Sequence, residues 1–202
     1  MRVLIACEFS GTVRNAFNTR GHDAWSCDIL PSESPGFSHF QGDVLTILEE
    51  GWDLMIAHPP CTYLALSGLH WNKRRPERQR LHDAALEFVR ALLGAPIPRI
   101  ARENPVGAIN RHIRKPDQII QPWQFGHPES KQTCLWLVGL PLLQPTDVLV
   151  PTSYQANGKS PRWDNQTPTG QNKLGPSPTR GADRSRTYLG IARAMAEQWG
   201  SS

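Results

Sequence analysis

The stretch His58-Pro59-Pro60-Cys61 combines a possible nucleophile with a stiff backbone. It follows residues 52–57, a short apolar run that is typical of a buried strand. Two consecutive prolines end a hydrogen-bonded ladder and hold the chain extended. A cysteine just past a central strand lies at the crevice where open α/β sheets bind ligands, and its thiolate could attack a ring carbon. The alternative is that Cys61 is a small buried apolar residue, as free cysteines often are.

A carboxylate follows another short strand. Residues 99–102 predict a strand that leads directly to Glu103-Asn104-Pro105. Glu103 and Cys61 would then stand at the ends of two neighbouring strands of one sheet. A carboxyl group that is sheltered from water near a nucleophile can have a raised pKa and act as an acid, so we expect a raised pKa for Glu103.

The first 30 residues predict a strand, a turn, a helix and a second strand. Residues 2–7 read as a buried strand, 8–12 form a glycine-containing turn, and 12–19 have helical apolar spacing. Residues 24–28 read as a strand that ends on Asp28. A glycine turn after the first strand and an acid at the tip of the second are elements of a nucleoside-cofactor site. A plain tight turn and a solvated Asp28 would give the same pattern.

Two more polar features have open interpretations. Asp43 lies before a short apolar helix, where it could accept a hydrogen bond from an adenine amino group or cap that helix. Residues 62–80 place basic side chains around Trp71, and such a mixture can hold phosphate and stack a base. A solvated loop leading to a helix over 81–93 is the alternative. The basic residues of this segment are Lys73, Arg74, Arg75, Arg78 and Arg80.

The remaining segments complete one α/β domain. We expect a loop over 29–40, strands over 118–123 and 134–138, and a closing helix over 188–199. The polar, proline-rich stretch 141–184 predicts a long, partly mobile loop. We therefore assign 1–140 as a catalytic and cofactor-binding domain. Residues 141–185 are a long polar loop, and 186–202 hold a helix that closes the same domain.

Composition narrows the class of protein. The chain has 202 residues and a net charge of +4, which is compatible with a phosphate-bearing substrate. Its four cysteines are widely spaced and include no Cys-x-x-Cys pair, which argues against zinc or disulfides and for a reducing cytoplasm. No apolar run approaches the roughly 20 residues of a membrane span, and we expect neither a secretion signal nor a bound metal.

Taken in order, these motifs resemble the DNA cytosine-C5 methyltransferase family, in a small phage-type variant. The resemblance covers most of the first 140 residues and weakly the last 20. Pro59-Pro60-Cys61 matches the family's Pro-Pro-Cys nucleophile motif, and Glu103-Asn104-Pro105 stands in place of its Glu-Asn-Val acid motif. Phe9-Ser10-Gly11 matches part of an opening Phe-x-Gly-x-Gly motif, and residues 129–133 resemble Gln-x-Arg-x-Arg.

The chain also departs from that family. Val13 replaces the second glycine of the opening motif, and Thr62 stands where glutamine is usual. Lys131 and Thr133 replace two arginines, and residues 186–190 do not match the closing Gly-Asn motif. The region that would read a DNA sequence has only about 45 mostly polar residues (141–185), which is short for a recognition domain.

The resemblance implies a Rossmann-like sheet with helices on both faces and S-adenosylmethionine-dependent methylation of cytosine C5 in DNA, through a bond between Cys61 and C6. Glu103 would donate a proton to N3, and Asn104 would orient the loops, so these three form the expected catalytic group. S-adenosylmethionine, leaving as S-adenosylhomocysteine, would be bound by Glu8, Phe9, Ser10, Gly11, Asp28, Ile29, Asp43 and Pro59. Substrate would be bound by Pro60, Lys131, Thr133, Arg74 and Arg75.

Two other functions are compatible with the same residues. The short recognition region suits C5 methylation of a free cytosine nucleotide such as dCMP. The substituted glycine and arginines suit a catalytically silent nucleic-acid-binding protein. Amino-group methyltransferases fit less well, because their motif has an aromatic residue after the two prolines. In each case we expect a partner that is DNA or a cytosine nucleotide, in the cytoplasm of a bacterial or phage-infected cell.

Overall fold

A seven-stranded sheet forms the centre of the computed structural model, which describes residues 1–34, 36, 38–72, 74–175, 177 and 180–201. Two further short strands pair as a separate hairpin. The strands are β1 Arg2–Ala6, β2 Asp23–Asp28, β3 His39–Gln41, β4 Leu54–Ala57, β5 Ile100–Asn104, β6 Gln118–Ile120, β7 Thr133–Val138, β8 Ser153–Tyr154 and β9 Pro161–Arg162.

The sheet order is β3-β2-β1-β4-β5-β7-β6. The first five positions are parallel, whereas β7 runs antiparallel to both β5 and β6. Those five positions follow the order of doubly wound nucleotide-binding sheets. The α/β class is therefore confirmed, and the architecture is compatible with a Rossmann-like fold.

Helices cover both faces of this sheet. In β1, Val3 and Ile5 pack on one face with helices Thr12–Thr19 (α1) and Leu189–Gln198 (α6), while Leu4 and Ala6 pack on the other with helix Pro76–Leu93 (α3). Burial on both faces explains why β1 and β4 are apolar runs without polar alternation. The helices are α1 Thr12–Thr19, α2 Leu66–Asn72, α3 Pro76–Leu93, α4 Ile109–His112, α5 Arg180–Ser185 and α6 Leu189–Gln198, with 3-10 helices at Val44–Ile47 and Pro122–Gln124.

The strand order reverses between β1 and β4, and this is where the cysteine motif lies. The chain leaves β1 towards β2 on one side and leaves β4 towards β5 on the other. The backbone N–H of His58 donates to the carbonyl of Ala6 at 2.9 Å, which joins the ends of β1 and β4. The loops after these strands thus flank the crevice at which doubly wound sheets bind ligands.

Several predicted boundaries were wrong. The helix expected over 81–93 begins earlier, at Pro76, where proline suits the first helical turn, and α2 lies within 62–80. The expected loop over 29–40 ends in β3. The strand expected over 118–123 stops at Ile120, since Pro122 cannot donate to a ladder and begins a 3-10 helix.

The polar segment 141–185 is largely irregular but is attached to the sheet domain through a tryptophan. Trp163 is buried and stacks on Trp123, with ring centroids 5.6 Å apart and planes 1° apart. The side chain of Asn165 donates to the carbonyl of Ser130 and accepts from its N–H. The hairpin of β8 and β9 and the short helix α5 were not expected from the sequence.

Candidate functional site

The Cys61 loop is held to β5 by one buried hydrogen bond. The side-chain Nδ2 of Asn104 donates to the carbonyl of Pro59 at 2.7 Å. The carbonyl of Cys61 accepts from the backbone N–H groups of Leu64 and Ala65, at 3.0 and 2.9 Å. Pro59 is buried, whereas Pro60 and Cys61 are exposed. The loop therefore presents Cys61 to solvent from a backbone that is fixed on both sides.

Glu103 lies on the strand next to the cysteine loop. Strands β4 and β5 pair in parallel with Ala57 opposite Arg102, so the following residues, His58 and Glu103, stand side by side. The Nδ1 atom of His58 lies 2.8 Å from Oε2 of Glu103, and the two side chains are 9% and 11% exposed. Sequence reasoning named Glu103 but missed His58, although the register of parallel strands could have suggested the pair.

The pKa of Glu103 is lowered, which corrects the expectation of a raised value. Burial alone would raise this pKa. The hydrogen bond with His58 and the electrostatic interactions with Lys131, His58 and Arg102 more than offset the burial and lower the pKa of the carboxyl group. In the free protein Glu103 is therefore a carboxylate at neutral pH, and it can act as an acid only after taking up a proton.

The thiol of Cys61 is also perturbed. Desolvation by the surrounding loop and the charge of Glu103 raise its pKa, while Lys131 and Arg184 act in the opposite direction. Glu103 and Lys131 therefore both influence the pKa of Cys61, and Lys131 also influences the pKa of Glu103. At neutral pH the resting form of Cys61 is the thiol.

The turn after β1 is built around a buried carboxylate. Glu8 accepts from the backbone N–H groups of Val13, at 2.7 Å, and Arg14, at 3.2 Å, so it caps the start of α1. Ser10 also donates to Glu8. Gly11 has φ +74°, and a Cβ atom there would lie 2.7 Å from Cβ of Ser34. The role of Glu8 in the structure is therefore to form this turn, and Gly11 is required by the conformation and the close packing.

Arg14 helps to fix this turn through hydrogen bonds of its side chain. Sequence reasoning did not identify it as a residue of the site. It is fully buried, and its Nη1 donates to Oγ of Ser26 and Ser32 at 3.1 and 3.3 Å. The backbone N–H of Glu33 donates to the carbonyl of Phe9. Arg14 thus ties the loop that follows β2 to the turn that follows β1.

The acids expected to bind the nucleoside occupy the rim of this region. Oδ1 of Asp28 accepts from the N–H of Leu30, and Oδ2 makes no hydrogen bond in the described part of the chain. Ile29 is 75% exposed beside it. Oδ1 of Asp43 accepts from the N–H of Leu45, so Asp43 caps the 3-10 helix, as one of its two interpretations required.

The residues expected to bind substrate separate into two groups. Arg74 and Arg75 are exposed and lie over the ring of Trp71, at 5.7 and 5.3 Å from its centroid. Lys131 interacts electrostatically with Cys61 and Glu103, whereas Thr133 is buried in β7 and donates to the carbonyl of Lys131. Thr133 therefore does not present its side chain to a ligand. Lys73 falls outside the described residues.

A second link lies near the turn that follows β1. Arg186 makes a bidentate ion pair with Glu33, with distances of 2.6 and 2.9 Å. Nζ of Lys131 donates to the carbonyl of Arg186 at 3.3 Å. The segment before α6 therefore connects the loop over Phe9 to the lysine that neighbours Glu103.

All four cysteines are free, and no group of three His, Cys, Asp or Glu side chains among the described residues could hold a metal ion. Within the described ranges, no helix is long and apolar enough to cross a membrane. No protein-family model matches the chain, and no curated protein matches it significantly.

Proposed function

We propose that the protein transfers a methyl group from S-adenosylmethionine to C5 of cytosine in DNA. The observation that carries this proposal is the juxtaposition of an exposed cysteine, fixed after β4, with a carboxylate on the adjoining strand β5. Both lie at the carboxyl end of a doubly wound sheet, beside the glycine turn that follows β1. A nucleophile and a proton donor on two rigid elements are what covalent activation of a pyrimidine requires.

The chain's own groups can perform that activation. The Cys61 thiol first loses its proton to solvent, and its sulfur electron pair then forms a bond to C6 of the ring. Glu103, protonated when substrate binds, gives its proton to N3. The electron pair displaced from the C5–C6 double bond therefore does not remain on the ring as an unstabilised anion. After methylation the C5 proton leaves to solvent, its electron pair restores the C5–C6 double bond, and sulfur departs as thiolate. N3 returns its proton to Glu103.

The residues around the β1 turn fit S-adenosylmethionine in part. Asp28 offers a free carboxylate oxygen for ribose hydroxyls, and Ile29 offers an exposed apolar face for the adenine ring. Gly11 keeps the turn after β1 in its left-handed conformation, packed against Ser34 and Arg14. When bound, this cofactor supplies an electrophilic methyl carbon, and its sulfur keeps the electron pair of the broken bond.

The corner between α2 and α3 supports a nucleic acid as substrate. Trp71, Arg74 and Arg75 are exposed there, 10 to 14 positions after Cys61 in the chain. Guanidinium groups bind phosphate, and an exposed indole can stack on a base. If the substrate is duplex DNA, the target base must leave the stack to reach Cys61.

Transfer of labelled methyl groups tests the proposal. The protein is incubated with labelled S-adenosylmethionine and either DNA or dCMP. Label in DNA supports the proposal, label in dCMP supports the nucleotide alternative, and cofactor binding without transfer supports a silent binding protein. Cys61→Ser should abolish transfer, whereas Cys134→Ala, a change at a cysteine buried in β7, should retain it.

A trapped adduct tests the chemistry more directly. In the presence of S-adenosylmethionine, DNA that contains 5-fluorocytosine should form a stable covalent complex, because after methylation C5 carries fluorine, which cannot leave as a proton does. Mass spectrometry should locate the modified ring on Cys61. Transfer that persists in Cys61→Ser would rule out the mechanism.

A further inference from the structure

One ring nitrogen of His58 contacts Glu103, and the other has no hydrogen-bond partner among the described residues. Nδ1 lies 2.8 Å from Oε2 of Glu103, while Nε2 is buried and has no hydrogen-bond partner among the described residues. The backbone N–H of His58 is held by the carbonyl of Ala6. The imidazole is therefore placed by both neighbouring strands, and its only described polar contact is the carboxylate.

This geometry selects one tautomer. A proton on Nε2 would be buried without an acceptor, whereas a proton on Nδ1 has a carboxylate oxygen within hydrogen-bond distance. The neutral Nδ1–H form satisfies that donor. Oε2 is then occupied, and Oε1 is the carboxylate oxygen left for another partner.

We propose that His58 is a positioning residue for Glu103: its Nδ1–H holds Oε2, so that Oε1 takes up the proton and delivers it to N3 of the cytosine ring. This inference rests on the proposed function. In the step itself, the Oε1–H bond breaks, its electron pair stays on Oε1, and an N3–H bond forms. Oε2 accepts from His58 throughout, and the reverse transfer restores the carboxyl group after methylation.

Three other ionisable groups near Glu103 lie at different places in the fold, and a substitution at His58 replaces none of them. Cys61 lies on the loop after β4, Lys131 precedes β7, and Arg102 is its neighbour in β5. Lys131 and Arg102 both favour the carboxylate. Loss of the His58 donor removes one favourable interaction of the carboxylate, so Glu103 should hold its proton to a higher pH.

Two substitutions separate positioning from packing. His58→Leu removes the donor but keeps an apolar group of useful volume, whereas His58→Asn keeps an N–H donor near the place of Nδ1. For His58→Leu we expect kcat on DNA to fall by about 10- to 100-fold with little change in KM, as for other residues that orient a catalytic group. For His58→Asn we expect a loss of about fivefold or less, on the same reasoning.

The pH profile and a second background complete the test. The alkaline limit of kcat should move to higher pH in His58→Leu and less in His58→Asn. In the Glu103→Gln background, His58→Leu should cause no further loss, because the group it positions can no longer donate a carboxyl proton. Thermal unfolding of each variant is measured so that kinetic comparisons use folded protein.

The outcomes are distinct. Wild-type transfer with an unchanged kcat and pH profile in His58→Leu would overturn the positioning role. Equal losses in folded His58→Leu and His58→Asn would also overturn it, because the donor would not matter. Absence of transfer by the wild-type protein would show instead that the proposed function has failed, and the inference would fall with it.

Discussion

The hydrogen bond between Asn104 and Pro59 can be tested without assuming any activity of the protein. Asn104→Asp replaces the donating amide by an oxygen of similar position, 2.7 Å from the carbonyl that it formerly bound. Asn104→Ala removes the donor without adding charge and is the matched control. If Asn104 holds the cysteine loop as the structure shows, the two variants should differ in both size and pH dependence.

The magnitude follows from the environment of this bond. Asn104→Ala leaves the Pro59 carbonyl without its buried donor, which costs about 1–3 kcal/mol. Asn104→Asp also places a buried carboxylate against that carbonyl. We expect it to reduce the free energy of unfolding by about 3–5 kcal/mol in total at neutral pH. For a chain of this size each kcal/mol lowers Tm by about 2–4 °C, so we expect a loss of roughly 6–20 °C for Asn104→Asp.

The pH dependence has a definite sign. Burial and repulsion raise the pKa of the introduced carboxyl above its unfolded value of about 3.9. The stability that Asn104→Asp loses relative to wild type is therefore smallest below the unfolded pKa. It grows as pH rises through the higher pKa of the folded state. Thermal unfolding at pH 5 and pH 8, followed by circular dichroism, should show that Asn104→Asp loses more stability at pH 8, while the Asn104→Ala deficit stays constant. Equal deficits of the two variants at both pH values would refute the assigned bond.

Three more predictions concern the reactive thiol, the turn after β1 and the basic corner. Alkylation of Cys61 by iodoacetamide, followed by mass spectrometry, should be slow at pH 7 and accelerate as pH rises, because the pKa of its thiol is raised. Glu103→Gln should speed this reaction at pH 8 and Lys131→Gln should slow it, and the opposite order would contradict the electrostatic assignment. Gly11→Ala should destabilise the protein by about 1–3 kcal/mol in urea unfolding, because φ is +74° and Ser34 is in the way. Gly21→Ala, which meets no atom within 4 Å at φ +82°, is the control that isolates backbone strain from the clash. The double change Arg74→Ala and Arg75→Ala should weaken DNA binding in filter assays and reduce its dependence on salt, whereas affinity and salt slope equal to wild type would exclude this corner as a phosphate contact.

The sequence alone determined the main elements of the sheet and the proximity of the two candidate catalytic residues. The apolar runs of β1 and β4 are unbroken because both faces are covered, and this pattern is legible without coordinates. The helix predicted over 12–19 coincides with α1. Cys61 and Glu103 each follow or end an apolar strand, and parallel strands bring such positions to one edge of a sheet.

Only the tertiary structure decided how those residues are held and charged. The pairing of His58 with Glu103 depends on the register between β4 and β5, which no local pattern specifies. The pKa of Glu103 was expected to rise with burial, but it is lowered by His58 and by Lys131, which lies 28 positions later in the chain. Electrostatic interactions act through space, so residues distant in sequence determine the sign of such a shift. For the same reason Glu8, named from sequence as a ligand contact, is seen to cap α1, because its role depends on which backbone donors the fold brings near it.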